Sequence, residues 1–87
     1  MTLEELHNRF IESTKDDIAF AEKMIAICSD NIAKDNDAIK EYRAGGHEMR
    51  EFLADWIDYR KEDYRERNYW RRKLQKYQRY LYVLESR

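Results

Sequence analysis

Tyr42-Arg43-Ala44-Gly45-Gly46-His47-Glu48 decides the fold. Gly45 and Gly46 are the only glycines of an 87-residue chain, and there is no proline. Every other strong helix breaker is missing, so the sequence on either side reads as one long helix folded back on another. The expected boundaries are helix 1 over about 3–44, a turn at 45–46 and helix 2 over about 47–86, in a single domain spanning 1–87. Lys40 and Arg43 suit the last turn of helix 1, where cations meet the negative end of the dipole. Gly45 is expected to take the left-handed position that ends a helix. His47 is expected to cap helix 2.

At the other end, Thr2-Leu3-Glu4-Glu5 has the spacing of a capping box. Ser13-Thr14-Lys15-Asp16 resembles a second start signal and would leave residues 3–12 as a separate short helix. Ser29-Asp30-Asn31 is a poor helix interior and a candidate bend.

The seam of helix 1 is Ile11, Thr14, Ile18, Ala21, Ile25, Cys28, Ile32, Asp35, Ile39 and Tyr42, in strict alternation of four and three. That is a coiled-coil spacing. Helix 2 answers with Leu53, Trp56, Arg60, Asp63, Arg67, Trp70, Leu74, Tyr77, Leu81 and Leu84. A fold-back centred on the two glycines sets Cys28 against Asp63, Thr14 against Tyr77, and Asp35 against Trp56 and Arg60. Asp35 is then expected to accept a hydrogen bond from the Trp56 indole or from Arg60, because a seam carboxylate left without a partner is costly.

A second apolar stripe lies beside the first: Leu3, Leu6, Phe10, Phe20, Met24 and Ile27. One partner helix cannot cover both stripes, and a chain this short has little core of its own. The stripe therefore points to self-association, as a homo-oligomer forming a helical bundle. The alternative is that residues 3–12 fold back over it. The fold class expected is all-α: a long antiparallel two-helix hairpin, coiled-coil-like, assembling into an oligomeric bundle.

Composition narrows the function classes. The charged fraction is 40% at a net charge of -1, so both signs are interspersed as on a wet helical surface. With 43% hydrophobic and 14% aromatic residues, the chain does not read as disordered. No apolar run is long enough for a membrane span. The acidic start Met1-Thr2-Leu3-Glu4-Glu5 does not read as a signal peptide. Cys28 is the single cysteine, which fits a cytoplasmic setting and reads as a small buried hydrophobe.

Nothing in the spacing resembles catalytic or metal chemistry. No phosphate loop, nucleophile elbow or zinc-ligand pair is present. His7 and His47 are the only histidines, and in a helical hairpin they stand roughly 60 Å apart. The expectation is a non-enzymatic protein without cofactor or metal.

One tract stands out. Residues 67–82, RNYWRRKLQKYQRYLY, hold Arg67, Arg71, Arg72, Lys73, Lys76 and Arg79 with no acid, interleaved with Tyr69, Trp70, Tyr77, Tyr80 and Tyr82. Residues 1–46 carry ten acids and six bases; residues 47–87 carry eight and eleven. Three readings compete. The tract can pair internally with Glu12, Asp16, Asp17 and Glu22 of helix 1, fixing register. It can bind a protein, since Tyr, Trp and Arg dominate interface hot spots. It can bind nucleic acid or a nucleotide, with bases stacking on the aromatics, although a pI of about 6.1 is low for that role.

The reading taken forward is a small interaction module, an adaptor, assembly factor or inhibitor, that binds an unidentified protein through Tyr69, Trp70, Arg71, Arg72, Lys76, Tyr77, Arg79 and Tyr80. Trp70 and Tyr77 also belong to the seam, so Arg71, Arg72 and Tyr80 are the stronger candidates. No membrane role is expected, because basic and apolar residues do not segregate into a broad greasy face.

Overall fold

The computed structural model describes residues 1–86, and of His47 the backbone only. The chain is an antiparallel helical hairpin: α1 (Leu3–Ala44), a short 3-10 turn (His47–Met49) and α2 (Arg50–Glu85). There is no strand among the described residues. The 42 residues of α1 at ~1.5 Å each account for nearly all of the 66 Å length, and the other two dimensions are 15 and 14 Å.

α1 is one continuous helix. Thr2 caps it, its Oγ1 accepting from the Glu5 amide at 3.1 Å. The separate helix over residues 3–12 does not form. Thr14 sits buried in the seam, and its hydroxyl donates to the Phe10 carbonyl at 2.7 Å. With its polar group met one turn back, it runs inside the helix instead of starting one. Residues 29–31 do not interrupt α1 either.

The turn differs in detail from the expectation. Gly45 ends α1 in right-handed geometry (φ -78°), its amide donating to the Tyr42 carbonyl at 3.2 Å. The left-handed residue is Gly46, at φ +81°. The Met49 amide then donates to the Gly46 carbonyl at 3.3 Å, closing the 3-10 turn. Helix α2 therefore begins at Arg50, not near His47, and Met49 at its N-cap position makes no side-chain cap. The capping role expected of the His47 side chain lies outside the described residues.

Those extra turn residues displace α2 by about one helical turn against α1. Tyr42 stacks on Phe52 and Trp56, with centroids 6.0 and 6.4 Å apart. Asp35 meets Asp63. Thr14 shares a cavity with Arg79, Tyr80, Val83 and Leu84. Cys28 feels Glu66, Asp63 and Arg67.

Seam membership follows the heptad spacing throughout. On α1, Thr14, Ala21, Cys28, Ile32, Asp35 and Ile39 are buried. Ile11, Ile18, Ile25 and Tyr42 are half-buried. All ten seam positions of α2 are half-buried and none is fully buried. The deepest line of α1 is also its narrowest: Thr14, Ala21, Cys28 and Asp35 recur every seven residues. The bulk of the interface comes from the wide side chains of α2 laid over that line. No helix among the described residues is long and apolar enough to cross a membrane.

Candidate functional surfaces

The basic aromatic tract occupies the C-terminal half of α2, beside the N-terminal half of α1. Its side chains divide by depth. Trp70 and Tyr77 are half-buried in the seam, and Trp70 sets its ring edge-on to Phe20 at 5.2 Å and 79°. Tyr69 and Tyr80 are exposed. Tyr69 packs edge-on to Trp70 at 5.1 Å, and the Lys73 ammonium lies 5.6 Å from its ring centroid. Lys76 stands in the same relation to Tyr80, also at 5.6 Å. Each of these cation–π contacts joins residues one helical turn apart on the exposed face.

Arg71, Arg72, Lys76 and Arg79 are exposed. None of them comes within 4 Å of an acid of α1 among the described residues; the ion pair seen on α1 is Lys15 with Glu12 at 3.7 Å, between neighbouring turns. The internal pairing with Glu12, Asp16, Asp17 and Glu22 therefore does not form, and the guanidinium groups of Arg71, Arg72 and Arg79 face solvent. A short loop places the helices side by side, but side by side is not within ion-pair distance for these acids and bases.

The second apolar stripe remains bare. Leu3 is 86% and Phe10 61% exposed, and Leu6, Phe20 and Ile27 are also exposed, with Met24 half-buried. Because residues 3–12 continue α1 straight outward, they cannot fold back over the stripe. Phe20 is partly screened by Trp70 of its own α2. The N-terminal part of the stripe, Leu3, Leu6 and Phe10, merges with α2 at the open end of the hairpin. Leu3, Leu6, His7 and Phe10 line one shallow cavity with Leu84, of about 610 Å³. Phe10 and Thr14 line the next with Arg79, Tyr80, Val83 and Leu84, of about 550 Å³. The two surfaces separated by the sequence reading thus meet at Phe10 and Tyr80. Val83, Leu84 and the 75%-exposed Tyr82 belong to this end and were absent from the candidate set. The signal for them was available: Tyr80, Val83 and Leu84 lie three and four apart, on one helix face.

A third place, unforeseen as a site, lies midway along the seam. Asp35 is only 4% exposed. It does not bond Trp56 or Arg60. Arg60 Nη1 instead donates to Asn36 Oδ1 at 2.9 Å. The partner of Asp35 is Asp63, because the displaced register sets a carboxyl where the Arg60 guanidinium was expected. A hydrogen bond to Asp35, then burial, then the Asp35 charge push the Asp63 pKa up to about 6. Beside the Asp35 carboxyl, Asp63 keeps its proton to a higher pH than an ordinary aspartate does. Asp35 Oδ2 and Arg67 Nε are buried without a hydrogen-bond partner.

Cys28 is buried, and burial followed by the nearby Glu66 and Asp63 charges raises its thiol pKa, with Arg67 acting the other way. A neutral, inert thiol is the consequence. No group of three or more His, Cys, Asp and Glu side chains is placed to hold a metal among the described residues.

Compared with protein-family models, curated proteins and solved structures, the chain matches none.

Proposed function

We propose that the protein is a non-enzymatic interaction module that binds an acidic, partly apolar face of a protein partner through Tyr69, Arg71, Arg72, Lys76, Arg79 and Tyr80. The observation that carries this reading is the unpaired state of the basic row. Arginines with no acid of α1 to meet, set beside tyrosines that each touch a lysine, make a surface whose positive charge is not neutralised within the hairpin. Tyr and Arg are also the residue types on which interface energy concentrates. The adaptor, assembly-factor and inhibitor roles all fit a rod that presents one face.

The same reading includes a second copy of the chain on the bare stripe. Leu3, Leu6 and Phe10 form a continuous apolar end with Val83 and Leu84, and a thin hairpin gains core by doubling it. Light scattering after size exclusion tests this directly. A dimer or larger species is expected, reduced to a monomer of unchanged helicity by Leu6→Glu/Phe10→Glu. A wild-type monomer at high concentration removes the homo-oligomer.

The partner class is tested by fluorescence polarisation with a labelled single-stranded oligonucleotide over a salt series. Weak, non-saturating binding is expected. Tight binding that falls steeply with salt, with a slope flattened by Arg71→Ala/Arg72→Ala, would transfer the tract to nucleic acid. A photo-crosslinking residue at position 80 should capture a discrete protein that the same residue at exposed position 55 does not.

A further inference from the structure

Between the Asp35–Asp63 pair and solvent lies a cavity of about 370 Å³, lined by Asn31, Lys34, Asp35, Trp56, Tyr59, Glu62 and Asp63. Its size falls within the ~300–1,000 Å³ of small-ligand clefts. Trp56 and Tyr59 meet at 89° with centroids 5.5 Å apart, so their rings form a corner. Behind the corner stand two facing carboxyls, and Glu62 adds a third acid at the rim. Asp35 is more than nine-tenths buried, and its Oδ2 has no hydrogen-bond donor.

We propose that this cavity is a binding site for an organic cation of the guanidinium type, seated between the Trp56–Tyr59 corner and the Asp35–Asp63 carboxyls. The chemistry matches on both faces. A guanidinium is planar and weakly hydrated, stacks on aromatic rings, and offers a fork of N–H donors that can span two carboxylates. It supplies hydrogen-bond donors to the Asp35–Asp63 carboxyls, and it replaces the proton held by Asp63 with a full positive charge. Lys34 at the rim makes no ion pair with Asp35, Glu62 or Asp63 within 4 Å, so the acids are not already neutralised by it. The Arg60 guanidinium is held by Asn36 outside the cavity. The site is separate from the basic tract and takes a ligand of opposite charge.

The test is a titration of the protein with L-argininamide, following the Trp56 indole N–H by two-dimensional NMR, with sodium chloride at matched ionic strength as the blank. Saturable shifts are expected at pH 8. Affinity should fall at least about tenfold by pH 5. The titratable and charged groups around Asp63 are Asp35, Lys34 and the Cys28 thiol from α1, with Tyr59, Glu62, Glu66 and Arg67 on its own helix, and Asp63 is the one whose pKa is pushed up into that range. Asp63→Asn and Trp56→Leu should each weaken binding by about tenfold or more. Asp63→Asn removes a like-charge contact, so its helicity should persist and loss of binding there cannot be put down to unfolding. An arginine-containing tripeptide that binds tighter than argininamide assigns the cation to a protein side chain; equal affinity assigns it to a free guanidinium compound, and either supports the site. Shifts that match the sodium chloride blank, or an Asp63→Asn variant that binds as the wild type does, overturn it. Tighter saturation by calcium or by 1,4-diaminobutane overturns the guanidinium assignment.

Discussion

The two helices are alike in length and opposite in construction. α1 buries six side chains, and those on its deepest line are small: Thr14, Ala21, Cys28 and Asp35. α2 buries none completely and covers its partner with the half-exposed stems of Trp56, Arg60, Arg67, Trp70 and Tyr77. One helix is a track and the other a cover. A cover made of long amphipathic side chains keeps polar ends in water while burying its carbon. The consequence is a division of labour: substitutions along the buried seam of α1 should act on folding, whereas most of those on α2 should act on what the surface recognises.

The largest effect should come from cutting the track. Ile32→Ala removes a buried β-branched side chain at mid-seam and should cost about 2–4 kcal/mol. Leu81→Ala, at a half-buried position of the cover, should cost less than half of that. Urea denaturation followed by circular dichroism gives both, and equal losses would break the comparison. Enlarging the track is nearly as damaging. Ala21 has no exposed area, so Ala21→Leu should overpack the seam by about 1–3 kcal/mol. Ala54→Leu on the exposed side of α2 should lie within about 0.5 kcal/mol of the wild type.

The carboxyl pair sharpens the comparison, because it is the one place where track and cover disagree. The folded-state pKa of Asp63 is raised from 3.8 to about 6. A raised acid is bound to its proton more tightly in the folded chain, so stability from this group is full below about pH 4 and is lost as pH rises through 6. Asp63→Asn should therefore stabilise the hairpin at pH 7.5 by about 1–2 kcal/mol, discounted for partial solvent exposure, and by little at pH 4. Paired denaturation curves at the two pH values decide it. A variant less stable than wild type at pH 7.5 would mean that the Asp63 carboxylate is supported by a donor.

How far the sequence could be read follows the same division. Heptad spacing located every seam residue, because a helix has one period and the buried face must obey it. The bare stripe was legible for the same reason, down to Leu3, Phe10 and Ile27. Register was not. It depended on how many residues the turn would spend, and Gly45-Gly46 was read as the whole turn when a 3-10 turn at 47–49 adds to it. That single shift by about one helical turn set Asp63 where Arg60 was expected opposite Asp35, and a carboxyl with a raised pKa where a charged donor was expected. That Arg71, Arg72 and Arg79 meet no acid of α1 was equally hidden. Opposite charges at the same level of a hairpin look paired in one dimension, and only the distances between their side chains show that they are not.

The smallest effect on folding should be the most informative about use. Tyr80→Ala and Arg72→Ala remove exposed groups from the cover, and neither residue is buried in the seam. Tyr80 loses its contact with Lys76, a pairing worth about 0.5 kcal/mol at an exposed site, so the thermal midpoint should hardly move. Recognition should respond very differently. Tyr80 lies at the junction of the basic tract with the apolar end formed by Phe10, Val83 and Leu84, where a docked partner would exclude water from its ring. If the partner is a protein, Tyr80→Ala should abolish crosslinking from a reporter placed at the neighbouring position 76, while Arg72→Ala weakens it in a salt-dependent manner. Should both variants melt several degrees below the wild type, the exposed face of α2 would be part of the hairpin's own stability, and the separation of track from cover would fail at the end where the binding surface is proposed.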